Sequence, residues 1–269
     1  MDASAKSLTR KEGGAQPWGA PAEALLTTAD GVRLHASYTP PQQPGTGRVV
    51  VLAHGFTGAV ERPAVLRAVR LLSRQAGVVS FSFRGHGRSG GLSTVGDLEV
   101  LDVEAAADWA RTLGFDSVAT LGFSLGGAVV LRHAALYEGV SAVATVSAPA
   151  RWYYRGTVPM RRLHWVVMKP LGRVVGRLGL RTRIDPHEWR QVPLPPVDAA
   201  ARLAERGVPL LVVHGDSDPY FPLDHPRSLQ VAAGPDRAEL WIEPGFGHAE
   251  NAADDALIER VGDWLTSAR

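Results

Sequence analysis

The fold is decided by the stretch SVATLGFSLGG at residues 117–127. Its first five residues are mostly apolar or β-branched and predict a short buried strand, and the run from Leu125 to Tyr137 predicts a helix. Ser124 therefore lies in a tight turn between a strand and a helix, with its hydroxyl pushed out of the fold. Gly122 and Gly126 have no Cβ, so the backbones on either side of the turn can approach closely. A Gly-x-Ser-x-Gly sequence in this context predicts a reactive serine.

Two downstream stretches carry the groups that such a serine needs. A serine hydroxyl is a poor nucleophile at neutral pH, so it requires a base to take its proton and a carboxylate to orient that base. Residues 208–219, VPLLVVHGDSDP, predict a buried strand that runs into a turn containing Asp216 and Asp218. Residues 238–248, AELWIEPGFGH, predict another strand, which opens into a glycine-rich loop ending at His248. Both groups follow strand ends, where ligands bind in open α/β sheets.

A third stretch supplies candidate donors for an oxyanion. Residues 48–53, RVVVLA, predict a buried strand, and His54-Gly55-Phe56 follows it. Acyl chemistry needs backbone or side-chain donors where negative charge develops on the carbonyl oxygen. This His-Gly-x stretch resembles an oxyanion loop that follows an early central strand. The resemblance implies that the backbone N–H groups of Phe56 and Leu125 are the donor pair, with Gly55 giving the loop the freedom to turn an amide inward.

With these motifs the sequence resembles the α/β-hydrolases, from about Leu25 to the C-terminus. Besides the serine turn and the His-Gly loop, FRGHGRS at 83–89 resembles the R-G-x-G-x-S turn that follows the next strand of that fold. HGDSDPYFP at 214–222 resembles the turn that carries the acid, and Gly247-His248 resembles the loop that carries the base. The sequence is similar to compact hydrolases related to serine aminopeptidases, monoacylglycerol lipases and small bacterial esterases.

The resemblance assigns roles to the candidate residues. It implies that Ser124 is the nucleophile, His248 the base and Asp218 the carboxylate that orients His248. The acid of the motif stands three residues after the glycine of His-Gly, which selects Asp218; Asp216 is the alternative, otherwise a turn residue whose side chain binds local backbone. His225 is the rival base, although it lies only seven residues past Asp218 in the sequence.

Strands that alternate with helices along the chain predict a mostly parallel sheet with helices on both faces. The resemblance implies the α/β-hydrolase fold, with eight strands and a small helical cap. We expect a flexible N-terminal tail at residues 1–22 and a hydrolase core formed by 23–148 and 197–269. Residues 149–196, which are rich in aromatic residues and proline, are expected to form the cap, or lid.

The expected cap has an unusual charge. Residues 151–190 contain ten Lys or Arg and two acids, a local net charge of +8 in a chain whose formal net charge is +2. One interpretation is attraction to an anionic substrate or an anionic membrane surface. The plainer interpretation is a solvated helix face. Nucleic-acid binding is not expected, because no binding motif accompanies the charge.

Apolar residues of the same segment are candidates for the substrate pocket beneath a lid. These are Trp152, Tyr153, Trp165 and Met168. They come after the strand that follows the helix beginning at Leu125, which is where the family inserts a lid over its active site.

Composition limits the remaining possibilities. The chain has 269 residues and no cysteine, which excludes disulfides and thiolate metal sites. We expect no cofactor and no metal ion, since no histidine–carboxylate cluster stands out. The first residues lack the apolar core of a secretory signal and no apolar run is long enough to span a bilayer, so a cytoplasmic protein without an integral membrane segment is expected.

The function expected from these residues is hydrolysis of a carboxylic ester through an acyl-enzyme, the substrate being a small ester with an apolar acyl or alcohol group. A thioesterase, an acyltransferase and an amidase or peptidase would use the same triad. A ligand-binding protein without catalysis remains the alternative from another class, because fold alone does not define function. Acyl chain length and oligomeric state are left open by the sequence.

Overall fold

A computed structural model of the protein describes residues 19–42 and 47–268. Its centre is an eight-stranded sheet with the spatial order β1-β2-β4-β3-β5-β6-β7-β8. The strands are β1 (Ala22–Thr27), β2 (Arg33–Thr39), β3 (Arg48–Ala53), β4 (Gly77–Phe81), β5 (Ser117–Phe123), β6 (Val140–Val146), β7 (Leu210–Gly215) and β8 (Ala238–Glu243). β1 and β2 form an antiparallel hairpin and β2 pairs antiparallel with β4, whereas all other pairs are parallel.

Helices cover both faces of this sheet. They are α1 (Pro63–Leu72), α2 (Glu99–Thr112), α3 (Leu125–Leu136), α4 (Val158–Met168), α5 (Pro170–Gly179), α6 (Pro196–Glu205), α7 (Asp224–Ala233), α8 (Ala249–Ala252) and α9 (Asp255–Ser267). Among the described residues the longest helix is α2 with 14 residues. None of the helices in 19–42 and 47–268 has the length and apolarity required to cross a membrane.

The apolar run of β3 shows how the sequence produces this layering. Side chains alternate between the two faces of a strand, so a strand covered on both sides is apolar throughout. Val49 and Val51 belong to the hydrophobic cluster that includes α2 and α3. Val50 and Leu52 belong to the cluster on the opposite face, which includes α1 and α9. The central strands are therefore fully buried, and their carboxyl ends meet at one edge of the sheet.

The fold class predicted from the sequence is confirmed: the sheet has eight strands, is mostly parallel and has helices on both faces. β1 and β2 are joined through Asp30-Gly31, a dipeptide that favours the tight turn of a hairpin. Of the tail predicted at residues 1–22, positions 1–18 lie outside the described residues, and β1 begins at Ala22.

Residues 149–196, here called the cap segment, leave the sheet after β6 and contain α4 and α5. The part after α5 is tied to the turn that follows β4. Arg183 N–H donates to the carbonyl of Gly85 at 2.8 Å, and the Arg183 carbonyl accepts from Ser93 N–H at 2.8 Å. The indole N–H of Trp189 donates to the carbonyl of Thr94 at 2.6 Å. The cap segment thus contains a helical hairpin, α4 and α5, and the residues after α5, which are hydrogen-bonded to the loop that follows β4.

Candidate active site

Ser124 lies between β5 and α3 with φ of 49° and ψ of −114°, a conformation that residues other than glycine rarely adopt. Close packing imposes this strain. A Cβ on Gly126 would lie 2.3 Å from the carbonyl oxygen of Ala53, and a Cβ on Gly122 would lie 2.3 Å from that of Gly126. Only glycine permits α3 to start directly against the end of β3, so Ser124 is held in the sharp turn predicted from the sequence.

Ser124, His248 and Asp218 form one hydrogen-bonded chain. His248 Nε2 lies 2.9 Å from Ser124 Oγ, and His248 Nδ1 lies 2.7 Å from Asp218 Oδ2. An ionised carboxylate can only accept, so Nδ1 carries the imidazole proton and Nε2 presents its lone pair to the hydroxyl. Asp218 and Ser124 precede His248 in the sequence by 30 and 124 residues. The fold therefore brings the three candidates together in the order that nucleophilic catalysis requires.

The environment of Asp218 favours its ionised form. The side chain is fully buried, and burial by itself opposes ionisation. The hydrogen bond from His248, the charge of His248 and the backbone N–H groups of Tyr220 and Phe221 outweigh burial, so the pKa of Asp218 lies below its ordinary value. Both amides donate to Oδ1, at 2.7 and 3.1 Å. This leaves Oδ2 for His248 and fixes the orientation of the carboxylate.

Asp216, the alternative acid, has different partners. Its Oδ1 accepts from Gly245 N–H at 2.7 Å and from Ser217 Oγ at 3.0 Å. It therefore links the turn after β7 to the loop after β8. The geometry agrees with Asp218 as the partner of His248 and with Asp216 as a turn residue.

Two further histidines support the acid turn. His214 Nε2 donates to the carbonyl of Phe221 at 2.8 Å. His225 is fully buried and its Nδ1 accepts from Ala150 N–H at 3.0 Å. Within residues 19–42 and 47–268 no group of three or more His, Asp or Glu side chains is placed to hold a metal ion.

The burial of His225 leads to a pH-dependent stability that can be measured. Burial lowers its pKa from 6.5 to about 4. Between these values the unfolded chain binds a proton that the folded chain does not, so the free energy of unfolding falls as the pH falls, by up to about 1.4 kcal/mol per pH unit. In His225→Asn, the side-chain oxygen can still accept from Ala150 and does not titrate. Between pH 7.5 and pH 5, the free energy of unfolding measured with urea should fall by about 1–2 kcal/mol less in the variant than in the wild type. Equal decreases in the two proteins would contradict this.

The candidate oxyanion donors have free N–H groups. Among the described residues neither Phe56 N–H nor Leu125 N–H has a hydrogen-bond acceptor. Leu125 is the first residue of α3, and the first amides of a helix have no partner within it. The close approach of Gly126 to the Ala53 carbonyl places the end of β3, and therefore the loop containing Phe56, beside the start of α3.

His54 fixes the direction of the Phe56 amide. Its Nε2 accepts from Phe83 N–H at 3.1 Å, so the imidazole proton is on Nδ1, which donates to the Gly55 carbonyl at 2.7 Å. Burial lowers the pKa of His54 to about 3, which keeps this tautomer neutral. A trans peptide is planar, so holding the Gly55 carbonyl also sets the direction of the Phe56 N–H on the opposite side. This positioning contact was not predicted from the sequence.

Glu250 is a second buried carboxylate of the site, and the sequence analysis did not select it. It is 4 % exposed, and its Oε1 accepts from Gly55 N–H at 3.0 Å. Burial raises the pKa of Glu250 above its ordinary value. It follows His248 by two residues, so it connects the loop of the candidate base to the loop of the candidate oxyanion donor. That spacing is the only sequence signal that could have pointed to it.

The His248 loop is held from two other sides. Ser147 Oγ, at the end of β6, accepts from Ala249 N–H at 3.0 Å, and Ala249 has a positive φ of 54°. The ring of Tyr220 lies 4.3 Å from the His248 ring, centroid to centroid. These contacts limit the rotation of the imidazole that faces Ser124.

The candidate pocket residues of the cap segment do not share one location. The indole N–H of Trp152 donates to the carbonyls of Pro193 and Leu194, at 3.1 and 3.0 Å. Tyr153 is exposed and its ring is 5.3 Å from that of His164. Trp165 and Met168 lie on the exposed face of α4. Their role in a substrate pocket stays a prediction.

Comparisons with known proteins agree with this architecture. A family model described as the alpha/beta hydrolase fold matches residues 48–164. The monoacylglycerol lipase of Mycolicibacterium smegmatis is 28% identical over 279 residues, which cover 88% of this chain and 94% of the lipase.

Solved structures of other proteins have the same fold. The Pyrococcus furiosus esterase Pf2001 superposes with a TM-score of 0.72 at 21% identity, covering 97% of this chain and 96% of the esterase. XC6422 from Xanthomonas campestris, described as a serine hydrolase without a lid, has a TM-score of 0.60 at 21% identity, covering 93% of each chain. The chain therefore has the α/β-hydrolase fold, and its sequence is similar to that of a monoacylglycerol lipase.

Proposed function

We infer that the protein is a serine hydrolase that cleaves a carboxylic ester through a covalent acyl-enzyme. The observation that carries this proposal is the continuous hydrogen-bonded chain from Ser124 Oγ through His248 to Asp218 Oδ2. A serine in a merely structural turn would need neither the strained backbone at Ser124 nor a buried, ionised carboxylate aligned with the imidazole.

The proposed reaction proceeds in two halves. His248 Nε2 takes the hydroxyl proton while Ser124 Oγ attacks the ester carbonyl, and Asp218 stabilises the imidazolium that forms. The Phe56 and Leu125 amides bind the oxyanion, and His54 and Glu250 hold the loop that aims the first of these amides. His248 then gives its proton to the leaving alcohol, and water activated by the same nitrogen releases the acid.

The relatives favour an ester over the alternatives. The printed names of the similar proteins include a monoacylglycerol lipase and an esterase, so we propose a small ester with an apolar acyl or alcohol group. A thioesterase, an acyltransferase or an amidase would share the intermediate. We also propose that residues 149–196 act as a cap beside the entrance, because the hydroxyl of Thr157, the N-cap residue of α4, donates to the carbonyl of Tyr220 at 2.9 Å.

A series of p-nitrophenyl esters from acetyl to palmitoyl tests this function. Hydrolysis, together with labelling of Ser124 by a fluorophosphonate, is the expected result, and the chain length of the best substrate reports the size of the pocket. Labelling with thioester turnover but no ester turnover would favour a thioesterase. Neither turnover nor labelling would favour a ligand-binding protein that does not use the triad.

Glu250 offers a test of the oxyanion assignment. Loss of one oxyanion donor costs about 10²–10³ in kcat, and Glu250→Ala, which only frees the loop, should lower kcat by about 10- to 100-fold with little change in KM. Glu250→Gln keeps an oxygen acceptor for Gly55 N–H and should stay within about threefold of the wild type. The fluorophosphonate labelling rate, measured well below the melting temperature, should follow kcat. Lower melting temperatures with unchanged labelling rates would restrict Glu250 to a structural role.

A further inference from the structure

α5 has three distinct faces, formed by glycines, by aliphatic side chains and by Arg173 and Arg177. Gly172 and Gly176 face α4: a Cβ on Gly172 would lie 2.3 Å from the Trp165 carbonyl oxygen, and one on Gly176 would lie 3.4 Å from Val166 Cγ1. A second face consists of apolar side chains spaced i, i+3, i+4 and i+7, which align along one side of a helix. These are Leu171, Val174, Val175 and Leu178, and all are exposed, Leu178 by 76%. No element of the described chain covers this face.

α4 continues the apolar surface. Val158, Trp165 and Met168 are exposed on its outer side. Beside them is a groove of about 480 Å³, lined by Val158, Arg161, Arg162, Trp165 and Val166. We call the seven exposed apolar side chains of α4 and α5 the apolar cap surface. They account for seven of the fifteen large exposed hydrophobic side chains of the described residues and all lie on two consecutive helices. Such a concentration of exposed apolar side chains is typical of an interaction site.

Cations without acidic partners surround the apolar cap surface. The two helices and the residue between them carry Arg161, Arg162, Lys169, Arg173 and Arg177, and the sequence has no Asp or Glu from residue 152 to residue 184. The ion pairs described for residues 151–190 join Arg151 to Asp224 and His187 to Asp185, and neither lies on these helices. The charge of the helices is therefore uncompensated.

The charge and the apolar character of the apolar cap surface together indicate what kind of partner it binds. A second copy of the chain would bring another segment of net charge +8 against the first, and like charges oppose such a symmetric contact. An anionic lipid surface satisfies both features, because apolar side chains enter the boundary of the acyl region while each nearby Lys or Arg adds about 1 kcal/mol of attraction. An amphipathic helix with a basic edge lies in the plane of such an interface.

We propose that the outer faces of α4 and α5 dock the protein on an anionic lipid surface. Docking would place the candidate site beside that surface, since Thr157 at the start of α4 contacts Tyr220, whose ring lies 4.3 Å from that of His248. The inference that the bound surface also supplies the ester rests on the proposed function; the docking itself does not. The apolar cap surface binds the lipid, and the cations restrict binding to anionic membranes.

Vesicle co-sedimentation of Ser124→Ala measures docking without hydrolysis. The probes are phosphatidylcholine vesicles with and without phosphatidylglycerol. We expect binding to the anionic vesicles and at least tenfold weaker binding to the neutral ones. Arg162→Gln/Arg177→Gln should weaken anionic binding by about tenfold or more, given two lost cations. Leu171→Gln/Leu178→Gln should weaken binding to both vesicles, because it removes two of the most exposed apolar side chains of α5.

Matched controls use exposed residues on other elements. Leu25→Gln/Val231→Gln removes two similarly exposed apolar side chains, and Arg202→Gln/Arg227→Gln removes two exposed cations; both should bind like the parent. The proposal fails if the parent does not bind anionic vesicles, or if the controls weaken binding as much as the cap variants. It also fails if the protein sediments as a dimer that Leu171→Gln/Leu178→Gln converts to a monomer. Normal docking in a protein without esterase activity would refute the proposed function alone.

Discussion

Ser124→Ala should lower kcat for a p-nitrophenyl ester by about 10⁶-fold, the size of effect found when a serine nucleophile is removed from a triad. The reason is geometric as well as chemical. Ser124 Oγ is the atom 2.9 Å from His248 Nε2, and alanine leaves the base without a proton to take and the acyl group without an atom to bind. The same variant should lose all labelling by a fluorophosphonate. Stopped-assay kinetics and mass spectrometry of the intact protein measure the two effects.

Ser217→Ala is the matched control for this variant. Ser217 also bears a hydroxyl near the site, but its Oγ contacts Asp216 at 3.0 Å, so we expect kcat within about threefold of the wild type. Circular dichroism should show that both variants are folded. Substantial turnover by folded Ser124→Ala would show that another group carries the reaction, and equal losses in both variants would point to a general disturbance of the site.

Much of the fold was predictable because its determinants are local. The hairpin at Asp30-Gly31, the apolar run of β3 and the turn at Ser124 each follow from a few adjacent residues whose conformational preferences agree with the final structure. Ser124 and His248 could be selected for the same reason: each follows a strand with a recognisable pattern, and parallel strands bring their carboxyl ends to one edge. Asp218 was preferred to Asp216 because of its position in the motif that the sequence resembles.

The contacts that hold the site together were not predictable from the sequence. Glu250 and Gly55 are 195 residues apart, and Ser147 and Ala249 are 102 apart; neither pair belongs to a periodic pattern. The cap segment is a similar case. Its charge was evident from composition, but the separation of glycines, aliphatic side chains and arginines into different faces of α5 depends on how that helix packs against α4.

Asp218→Asn should lower kcat by about 10⁴-fold, as expected when the orienting carboxylate of a triad becomes an amide. The structure shows why the amide would be harmful. The N–H groups of Tyr220 and Phe221 both point to Oδ1, so the asparagine oxygen takes that position and its NH₂ group faces His248 Nδ1. His248 must then accept at Nδ1 and carry its proton on Nε2, the nitrogen that should receive the proton of Ser124. The pH dependence of kcat/KM and the imidazole proton resonances measure this change.

Asp216→Asn separates this effect from a general loss of charge in the same turn. Asp216 accepts from Gly245 N–H at 2.7 Å, and an asparagine oxygen can accept the same bond, so kcat should stay within about threefold of the wild type. Each variant removes one negative charge from the same turn, and only the Asp218 carboxylate contacts His248. An inactive Asp216→Asn beside an active Asp218→Asn would transfer the acid role to Asp216. Equal, moderate losses would mean that the electrostatic field of the turn matters more than the tautomer of His248.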